Sequence, residues 1–124
     1  MKAFILVAAM ALALVFPLPS SAQSSDLQDR YSRWAAQSQI EIQESLRDPN
    51  SARWGRIVVS LYQGRTPMVC GHVNSRNAFG GYSGSQRYVW AGTVVSVLEE
   101  DMAPGEMDNL WVLMCSNVVY VARP

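Results

Sequence analysis

The stretch RIVVSLYQGRTPMVCGHVN, residues 56–74, decides the fold. Apolar side chains recur at every second position in its first part, as Ile57, Val59 and Leu61 do, and a period of two is typical of a half-buried β-strand. Gly64-Arg65-Thr66-Pro67 has the composition of a turn. We therefore predict an antiparallel hairpin in which a strand over residues 56–63 pairs with a strand over residues 68–74.

Two further β-rich runs follow this hairpin. Valine and aromatic residues dominate residues 86–99, and apolar residues dominate residues 110–121, which is the composition that strands favour. A loop rich in Gly and Ser, residues 77–85, precedes the first run, and an acidic turn, residues 101–109, separates the two. These runs are the predicted third and fourth strands, with a bulge or bend at Gly92.

The segment before the hairpin has helical periodicity instead. In residues 25–47, apolar side chains recur at steps of three and four, and charged side chains lie mostly off that stripe. Asp48-Pro49 ends the predicted helix, because a residue before proline avoids the helical region. The predicted fold class is α+β, with an N-terminal amphipathic helix packed on a four-stranded antiparallel sheet.

Residues 1–22 are predicted to be a cleaved signal peptide. Lys2 precedes an uncharged apolar run, residues 3–16, and Ser20-Ser21-Ala22 offers the small residues that a signal peptidase reads. The run is too short for a ~30 Å hydrocarbon core, which disfavours the alternative of an uncleaved anchor. No Cys lies near the predicted cut to carry a lipid. Residues 23–124 are then one α+β domain, periplasmic or secreted, with no membrane attachment after cleavage.

Charge and cysteine content bound the partners and the compartment. Ten basic residues balance ten acidic ones, so there is no general basic surface, and nucleic acid is not an expected partner. The two cysteines, Cys70 and Cys115, are predicted to form one disulfide in an oxidising compartment. Two separate buried thiols are the alternative.

Two segments together resemble a known family. DPNSARW, residues 48–54, is similar to a DPxSAxF pattern, and VCGHVNSRNAFGGYSG, residues 69–84, is similar to a VCGxVNxxNxxGGYxG signature. Both patterns belong to a family of small, uncharacterised exported proteobacterial proteins. The resemblance implies an exported domain and a defined loop, and it implies no particular activity.

The loop over residues 74–87 is the candidate functional site. It is longer than a hairpin needs, and it places two aromatic side chains between glycines and two arginines at its flanks. The candidate partner-binding residues are Arg76, Phe79, Tyr82 and Arg87. Aromatic and arginine side chains are enriched at binding hot spots. The alternative is a rigid structural turn, with the aromatic side chains pinned back on the core.

Catalytic and metal-binding groups are scarce. His72 is the one histidine, and no acid or hydroxyl can be placed beside it as a catalytic triad would require. With the cysteines bridged, no zinc site can be assembled. The carboxylates of residues 99–108 match no EF-hand spacing. We therefore expect no catalytic residue, no metal and no cofactor.

Two function classes remain open. The first is a non-enzymatic module that binds another envelope or secreted protein through the aromatic loop or an exposed sheet face. The alternative is an inhibitor or immunity-type protein that blocks an envelope enzyme such as a cell-wall hydrolase. An enzyme ranks third, because general acid–base groups are few.

The signal-peptide assignment predicts the mass of the exported protein. If the peptidase cuts after Ala22, the exported chain begins at Gln23, and intact-mass spectrometry of the exported fraction should give the mass of residues 23–124 with two hydrogens missing for the disulfide. A mass that retains Met1 would contradict the assignment.

Overall fold

The central hairpin forms as predicted. β1, Arg53–Tyr62, pairs antiparallel with β2, Thr66–Asn74, and the register shifts by one residue at a bulge between Trp54 and Ile57. Gln63 and Gly64, between the strands, have φ angles of 53° and 69°, the left-handed backbone that tight hairpin turns use.

The computed structural model describes residues 12–17 and 20–123. In chain order, the helices and strands are α1 (Ser20–Ser45), β1, β2, β3 (Gln86–Trp90), β4 (Ser96–Leu98), α2 (Glu106–Met114) and β5 (Val118–Val121). Short 3-10 turns occupy Pro49–Ser51 and Glu99–Asp101. The strands form one antiparallel sheet in the order β4-β3-β2-β1-β5. The α+β class is confirmed, and the sheet has five strands, not the predicted four.

The predicted fourth strand, residues 110–121, is wrong in its first half. The chain forms α2 there, and only Val118–Val121 is a strand, which pairs with β1 at the far edge of the sheet. Met107, Leu110 and Met114 recur at helical steps and pack on the sheet. Acidic residues also occupy the first turn of α2, where their negative charges stabilise the helix by interacting with the positive end of its dipole.

The predicted third strand, residues 86–99, is two strands. The chain reverses at Gly92, whose φ is 64°, and the Ala91 amide donates to the Val95 carbonyl at 2.7 Å. β3 and β4 are therefore partners in a second hairpin. This reversal raises the strand count to five.

α1 covers one face of the sheet. The buried residues of this interface are Ala35, Ile42 and Leu46 from the helix and Ile57, Val59, Val69, Val73, Tyr88, Trp90 and Leu98 from the strands and their ends. Polar side chains of α1 reach the sheet at successive helical turns. The hydrogen bonds are Trp34 Nε1 to the Pro67 carbonyl at 3.0 Å, Ser38 Oγ with Tyr88 Oη at 3.2 Å, and Trp90 Nε1 to Glu41 Oε2 at 2.7 Å.

Tyr88 fills the space that Gly71 leaves open. The two residues are paired across β2 and β3, and a Cβ at Gly71 would lie 2.5 Å from the Tyr88 ring. The ring is fully buried, and burial raises the pKa of Tyr88 to about 12. The hydroxyl therefore stays protonated at neutral pH and keeps its hydrogen bond with Ser38.

α2 covers the opposite face. Its Met107 is buried with a second set of strand residues, Val58, Met68, Cys70, Val89 and Ala91. The predicted disulfide is confirmed: Cys70 on β2 is bonded to Cys115 at the C-terminal end of α2, with Cα atoms 6.1 Å apart. Closing a loop with a sequence separation of 45 residues stabilises the fold by about 4 kcal/mol in the chain-entropy model.

Most of the predicted signal peptide lies outside the described residues. Residues 12–17 are exposed and form neither helix nor strand, and α1 begins at Ser20, just before the predicted cut. Among the α1 side chains that the structure describes, Tyr31 is the first that is not exposed. In the described ranges, no helix combines the length and the apolar character needed to cross a membrane.

The contact between Gly71 and Tyr88 gives a stability prediction. Gly71→Ala should lower the free energy of unfolding by roughly 1–3 kcal/mol, because the added methyl group overpacks the Tyr88 ring. Gly81→Ala is the matched control, since a Cβ there meets no atom within 4 Å. Urea unfolding of both variants measures the difference, and equal stability of the two would contradict the packing argument.

Candidate functional site

Loop 75–85 joins β2 to β3, and hydrogen bonds that Asn77 donates and accepts hold its backbone in place. The Asn77 amide donates to the Gly81 carbonyl at 2.8 Å, and the Gly80 amide donates to the Asn77 carbonyl at 3.1 Å. The side-chain Oδ1 of Asn77 accepts from the amides of Phe79 at 2.9 Å and Gly81 at 3.3 Å. Gly80 takes a φ of 80°, which suits glycine. Residues 77–81 therefore form a tight turn with a defined backbone.

Ser51 forms the base on which this loop rests. The Arg76 amide donates to Ser51 Oγ at 2.8 Å, and the Tyr82 hydroxyl donates to the Ser51 carbonyl at 2.9 Å. Ser51 is buried, and its own hydroxyl donates to the Asp48 carbonyl at 2.8 Å. The two segments that carry the family resemblance are thus joined at this residue.

Phe79 projects from the tip of the braced turn. Its side chain is 97% exposed, more than any other large apolar side chain among the described residues. The backbone around it is fixed by the Asn77 bonds, so the exposure does not come from an unstructured segment. Phe79 is not a plug for the core.

Tyr82 lies beside two arginines. The Arg53 guanidinium carbon is 4.0 Å from the centroid of the Tyr82 ring, and that of Arg76 is 5.8 Å away. Both distances suit a cation–π interaction. Both arginines are exposed, and in the described part of the chain neither forms an ion pair with a carboxylate. The ring holds two positive charges at the surface next to the Phe79 turn.

Arg87 belongs to a different cluster, which links the sheet to α2. Its guanidinium bonds both carboxylate oxygens of Glu99, with Nε 3.2 Å from Oε1 and Nη2 2.6 Å from Oε2. Nη2 also lies 2.7 Å from Asp108 Oδ1, and the group sits 5.6 Å from the Trp111 ring centroid. The charge of Arg87 is therefore satisfied within the protein.

The electrostatics of this cluster follow from its hydrogen bonds. The bond from Arg87 is the main reason that the pKa of Glu99 lies below its ordinary value. Glu99, followed by Asp108, raises the pKa of Arg87. Arg87 and Glu99 thus stay charged at neutral pH, and the bonds of Arg87 to Glu99 and Asp108 hold the 3-10 turn Glu99–Asp101 and α2 against β3.

Among the described residues, His72 and the acidic side chains do not form a metal site. The His72 ring lies 5.3 Å from the Trp111 ring centroid, and Nδ1 is 3.4 Å from the Arg56 carbonyl oxygen. Within residues 12–17 and 20–123, no three His, Cys, Asp or Glu side chains converge as a metal centre requires. The hydrogen-bond partner of His72 is thus a backbone carbonyl, not a nucleophile or an acid.

Sequence reasoning missed two residues of this site, Ser51 and Arg53. Counting back along the hairpin from its turn pairs Arg53 with Ser75, and the bulge between Trp54 and Ile57 shifts it by one residue to lie opposite Asn74, where loop 75–85 begins. That register puts the residues around Ser51 next to the loop. Arg53 replaces Arg87 as the second cation beside the loop aromatics.

Compared with models of known protein families, with curated proteins and with solved structures, the chain has no significant match. The family resemblance of residues 48–54 and 69–84 therefore stays a prediction.

The ion pair of Arg87 predicts how stability depends on pH. A carboxylate with a lowered pKa contributes stability above its ordinary pKa of about 4.3 and loses it as the pH falls through the lowered value. Glu99→Gln should therefore reduce the free energy of unfolding by roughly 0.5–1 kcal/mol at pH 7. The difference from the unmodified protein should vanish as the pH falls through the lowered pKa of Glu99, because Glu99 is then protonated and uncharged as well.

Glu100→Gln is the control for this measurement, because the Glu100 side chain is exposed and forms no ion pair in the described residues. Its stability should follow that of the unmodified protein at every pH. A deficit of Glu99→Gln that is the same at both ends of the pH range would show that the carboxylate charge is not what matters.

Proposed function

We propose that the protein is a non-enzymatic binding module of the periplasm or the extracellular space. It docks on a partner protein through loop 75–85, and Phe79 is the anchor that enters a pocket of that partner. The disulfide between Cys70 and Cys115 supports an oxidising compartment.

The single observation that carries this proposal is the 97% exposure of Phe79 on a braced turn. An aromatic side chain buries a large apolar area when a partner covers it, and such residues supply much of the energy of an interface. A single exposed apolar residue is ordinary on a protein surface. An aromatic one at the tip of a hydrogen-bonded turn is positioned for insertion.

The rigidity of the turn supports binding in a second way. Ordering a flexible loop on association costs free energy, and a loop that already has its bound shape avoids that cost. Asn77 and Ser51 supply this order through hydrogen bonds within the protein. Phe79 can therefore be buried by a partner with little loss of backbone entropy.

The positive charges beside the loop indicate which kind of partner surface would fit it. Arg53 and Arg76 flank the loop without carboxylate partners in the described residues. A partner surface with acidic groups around an apolar pocket would match both features. Acidic groups around the pocket would influence the orientation of the two proteins and their rate of association more than the affinity.

An inhibitor of an envelope enzyme is the second candidate. The projecting, braced turn favours it, because a rigid loop that inserts one side chain is suited to block a cleft. The two candidates share the binding site and differ in whether the captured partner is an enzyme that loses activity at one-to-one stoichiometry.

Site-specific photo-crosslinking tests the proposal. A benzophenone amino acid placed at position 79 should give one cross-linked product with an envelope or secreted protein of the organism that encodes the chain. Val94, which is 78% exposed in the turn between β3 and β4, is the matched control position. Equal products from positions 79 and 94 would contradict a specific anchor.

Affinity for the captured partner then separates binding from folding. Phe79→Ala should weaken binding by more than about tenfold, or ~1.4 kcal/mol. It should change the free energy of unfolding by less than about 0.5 kcal/mol. Val94→Ala should change neither quantity. Full affinity of Phe79→Ala would remove Phe79 from the site.

A further inference from the structure

A groove distant in sequence from loop 75–85 lies between α1 and the turn of the central hairpin. Its volume is about 380 Å³, and its lining residues are Leu27, Arg30, Tyr31, Trp34, Leu61, Arg65 and Pro67. Sites for small molecules have volumes of roughly 300–1,000 Å³ and mostly apolar walls. This groove is at the small end of that range, which suits a short acyl chain or a single ring system.

The aromatic floor of the groove is fixed from behind. The Trp34 ring packs at 4.5 Å, centroid to centroid, on buried Trp90, and its Nε1 donates to the Pro67 carbonyl at 3.0 Å. The Tyr31 ring lies 6.4 Å, centroid to centroid, from that of half-buried Tyr120. Because these contacts fix both rings, the groove is open before any ligand arrives.

Two cations stand on opposite walls of this groove. Arg30 comes from α1 and Arg65 from the hairpin turn, and both are exposed. Neither forms an ion pair with any carboxylate in the described residues. This includes Asp26, which lies one turn before Arg30 on the helix but does not pair with it. An apolar floor between two unmatched guanidinium groups is complementary to a ligand with an apolar body and an anionic end.

From these contacts we propose that the groove binds a small apolar carboxylate. The apolar part lies over Trp34, Leu61 and Pro67, and the carboxylate is held by Arg30 and Arg65. A second copy of the protein that inserts Phe79 is a poorer occupant, since Arg53 and Arg76 beside loop 75–85 would face Arg30 and Arg65 with the same sign of charge. The proposal does not depend on the function of loop 75–85.

Titration of the exported, oxidised protein with octanoate tests this site. The indole N–H resonance of Trp34 should shift with a saturable dependence and a Kd below about 1 mM. The indole resonances of Trp54 and Trp111, which do not line the groove, should not move. A shift that does not saturate, or one that appears at Trp54 or Trp111 instead of Trp34, would overturn the proposal.

Variants and an uncharged ligand identify the role of the two arginines. The double substitution Arg30→Gln with Arg65→Gln should weaken octanoate binding at least about tenfold, while Arg33→Gln, an exposed position that does not line the groove, should not. Octanol should bind at least about tenfold more weakly than octanoate. Equal affinity for octanol and octanoate, or an equal loss in Arg33→Gln, would overturn recognition of the carboxylate.

Discussion

The packing of Tyr88 against Gly71 is the constraint on which the rest of the structure depends. The missing side chain of Gly71 lets the Tyr88 ring pack against the neighbouring strand, and the hydroxyl then reaches Ser38 in the middle of α1. Together with the hydrogen bonds of Trp34 and Glu41 on either side of it, this contact positions the helix on the sheet. Because α1 leads directly into the turn Pro49–Ser51 and then into β1, the position of α1 also sets where Ser51 lies, and Ser51 supports loop 75–85.

The parts of the fold that the sequence predicts are those with local periodicity. The hairpin over residues 56–74 alternates with a period of two, and α1 has a stripe at steps of three and four. Residues 110–121 carry too many apolar side chains for either period to stand out, so periodicity does not distinguish α2 from a strand. The place of β5 beside β1 is a pairing between segments far apart in the chain, and composition holds no information about it.

In the candidate site, too, the local features can be predicted from the sequence and the long-range contacts cannot. Loop 75–85 could be identified from its glycines and aromatic residues, because turn chemistry is local. Whether Phe79 faces the core or the solvent depends on which groups receive the backbone and side-chain hydrogen bonds of the loop. The position of Arg87 in the sequence predicts that it belongs to the loop. In the structure, the partners that satisfy its charge come from the 3-10 turn Glu99–Asp101 and from α2.

The residues that hold β2 in the fold differ from those of the binding site proposed above. Towards α2, the strand is held by Cys70–Cys115, and its neighbour β3 is held by Arg87. At its end, loop 75–85 rests on Ser51, which belongs to the α1 side of the fold. Residues of the first kind can change only at a cost to folding, whereas Phe79 touches nothing that the fold requires. If loop 75–85 binds a partner as proposed, its tip residue can change, and the partner with it, without altering the domain that presents the loop.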